Sequence, residues 1–363
     1  MRTVLHALVF VLGAYLVIVT VISAIKTFVL PRAAQVFISR VTFVTVRRIF
    51  NFFARPSRPF LKRDAVMAMY APTSLIVLPA VWLLLVGAGF SAMFWGVGVH
   101  PVSEAIVTSG SSLFTLGFDR PAVFPAILLT FAEASLGLAL VALLISYLPT
   151  IYAAFSRRET AVAMLEAAAG TPPSVREMLA RHQRILGLQR LDSIWQRWQE
   201  WFADIEESHT SIAALVFFRS PQPGRSWVTA AACVLDTASV TLACLDLPPS
   251  AEAQICVRSG FVALRRLADF FAIRYDPDPQ PSDPISIKRD EFDALWDDLA
   301  SEQLPLKPDR EQAWRDFCGW RVNYDTVVRA LAALTMAPWA PWSSDRALAY
   351  DSVRVRVRDP WHR

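Results

Sequence analysis

The chain has 363 residues, 54% of them hydrophobic and 19% charged, with a formal net charge of +4. Residues 1–155 hold eleven Lys/Arg against four Asp/Glu, whereas residues 156–363 hold twenty-five against twenty-eight. The basic excess belongs to the greasier half, which argues against nucleic acid as a partner. Cys233, Cys244, Cys256 and Cys318 all lie in the second half without a CxxC pair, which fits reduced thiols of a cytoplasmic domain and gives no disulfide frame or metal site.

Three runs reach the roughly 20 apolar residues that a membrane-crossing helix needs. The first, Thr3 to Ile25, is uncharged and continues past Lys26 to Leu30, stopping at Pro31. It exceeds the apolar core of a signal peptide and lacks an Ala-x-Ala exit, so it reads as a retained helix. The connection that follows, 31–63, carries Arg32, Arg40, Arg47, Arg48, Arg55, Arg58, Lys62 and Arg63 and no acid. Such a loop faces the cytoplasm. This places the N-terminus and residues 100–120 outside and the C-terminal region inside, in a multi-pass protein of the cell (inner) membrane. Arg40, Arg47, Arg48 and Arg55 recur at helical spacing within 34–55, beside Val36, Phe37, Val44, Phe50 and Phe53. Two readings stand: an interfacial helix with its arginines among anionic lipid headgroups, or arginines that only set topology.

The second run, Ala65 to Val99, is wholly uncharged, and His100-Pro101 ends it. Ser103 then reads as an N-cap with Glu104 in the first turn, opening a short helix over 105–114. Thr115-Leu116-Gly117-Phe118 and Asp119-Arg120-Pro121 follow, before the third run, Pro121 to Phe155. A short helix and an extended stretch between two spans predict a re-entrant loop. Non-helical backbone at membrane depth is tolerated where it lines a cavity or is buried in protein. Its carbonyls can replace the hydration shell of a cation. The plainer reading is buried packing, with 115–118 as a tight turn.

At these residues the chain resembles the two-transmembrane potassium-channel pore family, whose filter reads Thr-Val-Gly-Tyr-Gly-Asp or a close variant. The resemblance covers about residues 65–155. It implies a selectivity filter at Thr115, Leu116, Gly117, Phe118 and Asp119, working through carbonyls and the Thr115 hydroxyl. It also implies K+ as permeant ion, no further cofactor, and a homotetramer closed around the pore. Ser111 and Ser112, where the pore helix ends, support the filter. The family's second glycine is missing: either Asp119 replaces it or the filter is one residue shorter. Asp119 around a symmetric pore would attract cations, unless Arg120 pairs with it.

Glu133 is the one charge in the third run. A carboxylate there faces protein or water. It either braces the filter through Ser111, Ser112 or Thr115, or faces the cavity as a cation or gating site. Gly137, on the same face, is a candidate gating hinge, with close helix packing as the alternative. Pro149 weakens the helix further on.

Residues 156–363 read as helical. Gly170 closes one helix, and Ser174 with Glu177 forms a capping box for the next. Helical patterns cover 174–218, 226–246, 249–274, 289–301 and 309–335, with a Pro/Asp-rich loop at 275–288. Ser352 to Arg358 alternates as a short strand or forms a solvated basic tail. Trp195, Trp198 and Trp201 beside Phe202 read as a core stripe before a ligand surface. Glu206, Glu207 and His209 read as a solvated face before a metal site. Arg219, Arg225 and Arg258 are candidate anion ligands. No G-x-G-x-x-G, P-loop, HExxH or GxSxG is present, so catalysis is not expected.

The expected fold is an all-α membrane protein. It has an N-terminal transmembrane helix (1–31), a basic amphipathic helix and linker (32–63), a pore domain (64–155) with re-entrant helix and filter, and a cytoplasmic helical domain (156–363). The expected function is a potassium-like cation channel. A non-conducting membrane sensor or scaffold is the rival, and a membrane enzyme a weaker one.

Overall fold

The computed structural model describes residues 2–28 and 37–347. Among them all regular secondary structure is helical, apart from one isolated bridge between Leu245 and Leu306. Among the described residues four helices are long and apolar enough to cross a membrane. The chain forms two compact units, residues 1–58 with 66–153, and 59–65 with 154–363.

In the first unit α1 (Arg2–Phe28), α2 (Phe37–Phe53), α4 (Tyr70–Gly96), α5 (Val102–Leu113) and the first part of α6 (Phe124–Ala169) pack together. A short helix, α3 (Phe60–Ala68), leads into α4 with only Met69, itself in right-handed helical conformation, between them, so that Phe60–Gly96 makes one long apolar stretch. Small residues let α1 and α4 approach closely: a Cβ on Gly13 would lie 2.5 Å from the Gly89 carbonyl oxygen. Buried polar groups add specificity across the same seam. Trp82 Nε1 donates to Ser23 Oγ at 3.2 Å there, and between α1 and α2 the half-buried Thr27 hydroxyl meets that of Ser39 at 2.8 Å.

α2 buries Ser39, Thr42 and Val46 and turns Arg40 and Arg48 outward beside exposed Phe37, Val41 and Val44. Arg47 is half-buried and lies over the Tyr70 ring. Arg55 does not share the helix, because α2 ends at Phe53. Residues 29–36, including Val36, lie outside the described residues.

α6 runs for 46 residues through Gly137 and Pro149 and covers both the third apolar run and the polar stretch after it. It belongs to the first unit through Ala153 and to the second from Ala154. Gly170, at φ +80°, ends it as the sequence predicts.

The second unit is built around α9 (Trp227–Cys244). This is the fourth long apolar helix, but 94% of its most apolar window is buried by its own unit. That makes it a core helix with almost no surface for lipid. Packed around it are α7 (Val175–Arg181), α8 (Leu191–Ser211), α10 (Ala251–Phe270), α11 (Arg289–Ser301), α12 (Arg310–Arg321) and α13 (Asp325–Thr335). Ser174 caps α7, its hydroxyl accepting from the Glu177 amide at 3.3 Å.

Two predicted helices are interrupted. The 174–218 segment passes through a π-turn at His182–Leu186 and Gly187 at φ +82°, and 309–335 breaks between Arg321 and Asp325. The tryptophan stripe is core: Trp195, Trp198, Trp201 and Phe202 are all buried. Ser352 to Arg358 lies outside the described residues.

Candidate functional site

α5 is 12 residues long, about 18 Å at 1.5 Å per residue, too short for a bilayer core of about 30 Å. It starts at Val102 after Pro101, so Ser103 lies inside the first turn and no side chain caps the helix. Glu104 does occupy the first turn.

The helix ends in a Schellman turn. Leu116 N–H donates to Ser111 O at 2.8 Å and Thr115 N–H to Ser112 O at 2.9 Å. The residue in the left-handed position is Thr115, at φ +54°. Glycine is usual there, and a β-branched residue is an outlier. Gly117 is also left-handed, at φ +70°, and its N–H reaches Ser111 O at 3.4 Å. Thr115 therefore closes the helix, and the irregular stretch runs from Leu116 to Pro121. Asp119 is not among the residues with positive φ, so its position does not require the missing glycine's conformation.

The loop is held to α5 from behind. Asp119 N–H donates to Ser111 Oγ at 3.2 Å, and the Thr108 hydroxyl donates to the Asp119 carboxylate. Asp119 is thus paired with Thr108, and no Asp119–Arg120 ion pair occurs among the described residues. The buried Ser112 hydroxyl donates to Thr108 O at 2.9 Å, inside the helix.

Glu133 is fully buried, and its partner is Ser109, whose Oγ lies 2.5 Å from Glu133 Oε1. None of Ser111, Ser112 and Thr115 is its partner: Ser111 Oγ accepts from Asp119 N–H, and the Ser112 and Thr115 hydroxyls donate to Thr108 O and Phe114 O. Glu133 consequently meets the middle of α5 and not its end. Gly137 packs against that end: a Cβ there would lie 2.3 Å from Leu113 O. Close packing alone accounts for a glycine at this position.

Thr108 and Ser109 are the residues that sequence reasoning missed. The only available signal is that they lie one turn before Ser111, Ser112 and Leu113, on the same side of a short helix. The large side chains of the loop point away from the protein: Leu116 is 63% and Phe118 68% exposed, with Phe114 and Phe124 exposed beside them.

The candidate ligands of the second unit are not brought together for chemistry. Arg219 donates to Asp64 at 2.5 Å and to the Thr335 and Met336 carbonyls, Arg225 pairs with Glu166, and Arg258 is exposed. Glu206 pairs with Arg266, while His209 is buried against Arg158. Among the described residues no group of three His, Cys, Asp or Glu is placed to hold a metal ion.

No protein-family model matches the chain, and no curated protein or solved structure matches it either.

Proposed function

We propose that this protein is a cation channel of potassium-like selectivity, with residues 115–119 as its filter. The observation that carries the reading is a short helix between two membrane-length helices, followed by irregular backbone tied to that helix at Ser111. Irregular backbone at membrane depth needs either burial or a water-lined path. In the single chain the loop is not buried, and the Leu116 and Phe118 side chains are largely exposed. Four copies around an axis would cover those side chains and set the loops' carbonyls around a common path. The exposed arginines Arg40 and Arg48, with Arg55 beyond the helix, would meet anionic headgroups, on a cytoplasmic side that also holds the second unit.

A second reading is favoured by the Schellman turn. In it the amides of Leu116 and Gly117 fold back onto Ser111 O, the geometry of a packed helix end. A non-conducting sensor or scaffold with a pore-like fold has the same feature.

Cation flux from liposomes separates the two. The channel reading expects flux preferring potassium to sodium and lost on Gly117→Ala, where a left-handed backbone is required. An intact oligomer with no flux across several lipids and pH values favours the scaffold.

A further inference from the structure

Ser109 Oγ lies 2.5 Å from Glu133 Oε1 and 3.0 Å from Gly87 O. A serine hydroxyl carries one proton, and a main-chain carbonyl carries none. With Glu133 ionised, two acceptors compete for that proton, and one of the two close oxygen pairs has no hydrogen between its members. With Glu133 protonated, its O–H donates to Ser109 Oγ, and the Ser109 O–H donates in turn to Gly87 O. Only then are both contacts hydrogen bonds. Burial points the same way. Glu133 is 0% exposed, and its Oε2 has no partner among the described residues. An ionised carboxylate with one oxygen unpaired is costly in such surroundings, whereas the neutral acid leaves only a carbonyl oxygen there.

We infer that Glu133 is held as a neutral carboxylic acid and donates the first hydrogen bond of a relay, Glu133 to Ser109 to Gly87, that ties α5 to both long helices. Once the proton leaves, Ser109 can serve Glu133 or Gly87 but not both.

The surroundings supply little to stabilise a charge at Glu133. α4 has no charged residue, and α6 has no other before Arg157. α5 contributes Glu104, more than a turn before Ser109, and beyond the helix are Asp119, bonded to Thr108, and exposed Arg120. The inference concerns a proton and does not depend on whether the loop conducts ions.

Infrared difference spectra of the full chain in lipid nanodiscs test it. At pH 7 a carboxylic-acid C=O band is expected that disappears in Glu133→Gln. In Ser109→Ala, where the acid loses its acceptor, the band shifts to higher frequency. Glu133→Gln keeps a neutral donor, so it should match the wild-type unfolding midpoint at pH 7. A wild-type spectrum without such a band, or a band untouched by both substitutions, overturns the inference. Ser109→Ala carries the test alone should Glu133→Gln fail to fold. Because no flux is read, this result stands apart from that of the filter.

Discussion

Arg158 donates from Nη1 to His209 Nε2 at 3.2 Å, with both side chains at 0% exposure. Arginine has no acceptor, so Nε2 must be unprotonated and the ring proton sits on Nδ1, 3.0 Å from Ser208 Oγ. Arg158 is held further by the Leu215 and Phe218 carbonyls, both at 2.7 Å, and by Glu159. Burial first, and then the Arg158 charge, holds the imidazole well below its ordinary range. An unfolded histidine titrates near about 6.5, so below that pH the unfolded chain takes up a proton that the folded chain refuses. Stability is therefore complete above that value and falls by up to about 1.4 kcal/mol for each pH unit beneath it. Thermal unfolding between pH 7 and 5 should show the midpoint dropping. His209→Gln, which keeps an acceptor for Arg158 without a titrating ring, should flatten that acid limb.

A second buried charge cluster yields to substitution differently. Arg321 pairs with Asp236, donates to Asp325 at 3.0 Å and to Trp342 O at 2.6 Å, while Tyr324 OH lies 3.0 Å from Asp236 and 2.9 Å from Ser239. Burial pushes the Asp325 carboxyl up, but Arg321 and the Ser286 hydroxyl more than offset this, and the group titrates below its ordinary value. Arg321→Met should cost about 3–5 kcal/mol in denaturant unfolding, because it takes the paired cation from buried Asp236 and leaves Asp325 only Ser286 and the more distant Arg329. Adding Asp236→Asn and Asp325→Asn should recover a large part of that loss. A single substitution that leaves the unfolding midpoint unchanged would show that the carboxylates find other partners.

The contrast between these clusters and the helices shows what a sequence can carry. Apolar runs, Ser174, Gly170 and the 289–301 helix are local signals, and each appears where the pattern puts it. Arg321 and Asp236 are 85 positions apart, and nothing local links them. The partner of Glu133 was hidden for a different reason. α5 itself offers four hydroxyls, on Thr108, Ser109, Ser111 and Ser112, and only the helix phase decides which one meets Glu133. Starting α5 at Val102 sets that phase and gives the contact to Ser109. The turn at Thr115 was illegible because a threonine at φ +54° contradicts its own preference.

Gly137 and Gly110 make a matched pair for testing the α5–α6 seam. A Cβ on Gly137 would lie 2.3 Å from Leu113 O, a main-chain atom that cannot rotate away, whereas a Cβ on Gly110 meets nothing within 4 Å. Gly137→Ala should therefore force the helices apart and destabilise the protein by about 1–3 kcal/mol, the usual range for overpacking. Gly110→Ala should be neutral or stabilise by up to about 1 kcal/mol through helix propensity. Thermal unfolding in one lipid composition compares them. Equal effects from the two would mean that this seam is looser than the geometry requires.

Thr115 offers the sharpest separation of stability from function. A non-glycine residue in a left-handed conformation costs about 1–2 kcal/mol, and strain of this kind persists where the surrounding structure or a function requires it. Thr115→Gly removes that cost, while the greater freedom of glycine in the unfolded chain gives back roughly 0.5–1 kcal/mol. The net expectation is a protein more stable by up to about 1 kcal/mol. Thr115→Ala keeps the strained backbone and loses the hydroxyl that donates to Phe114 O at 2.7 Å, so it should gain nothing. If Thr115 lines a filter, both variants should weaken potassium preference in flux measurements, and the glycine variant should do so despite its higher unfolding midpoint. A glycine variant that gains stability and keeps its ion preference would assign Thr115 to the helix end alone.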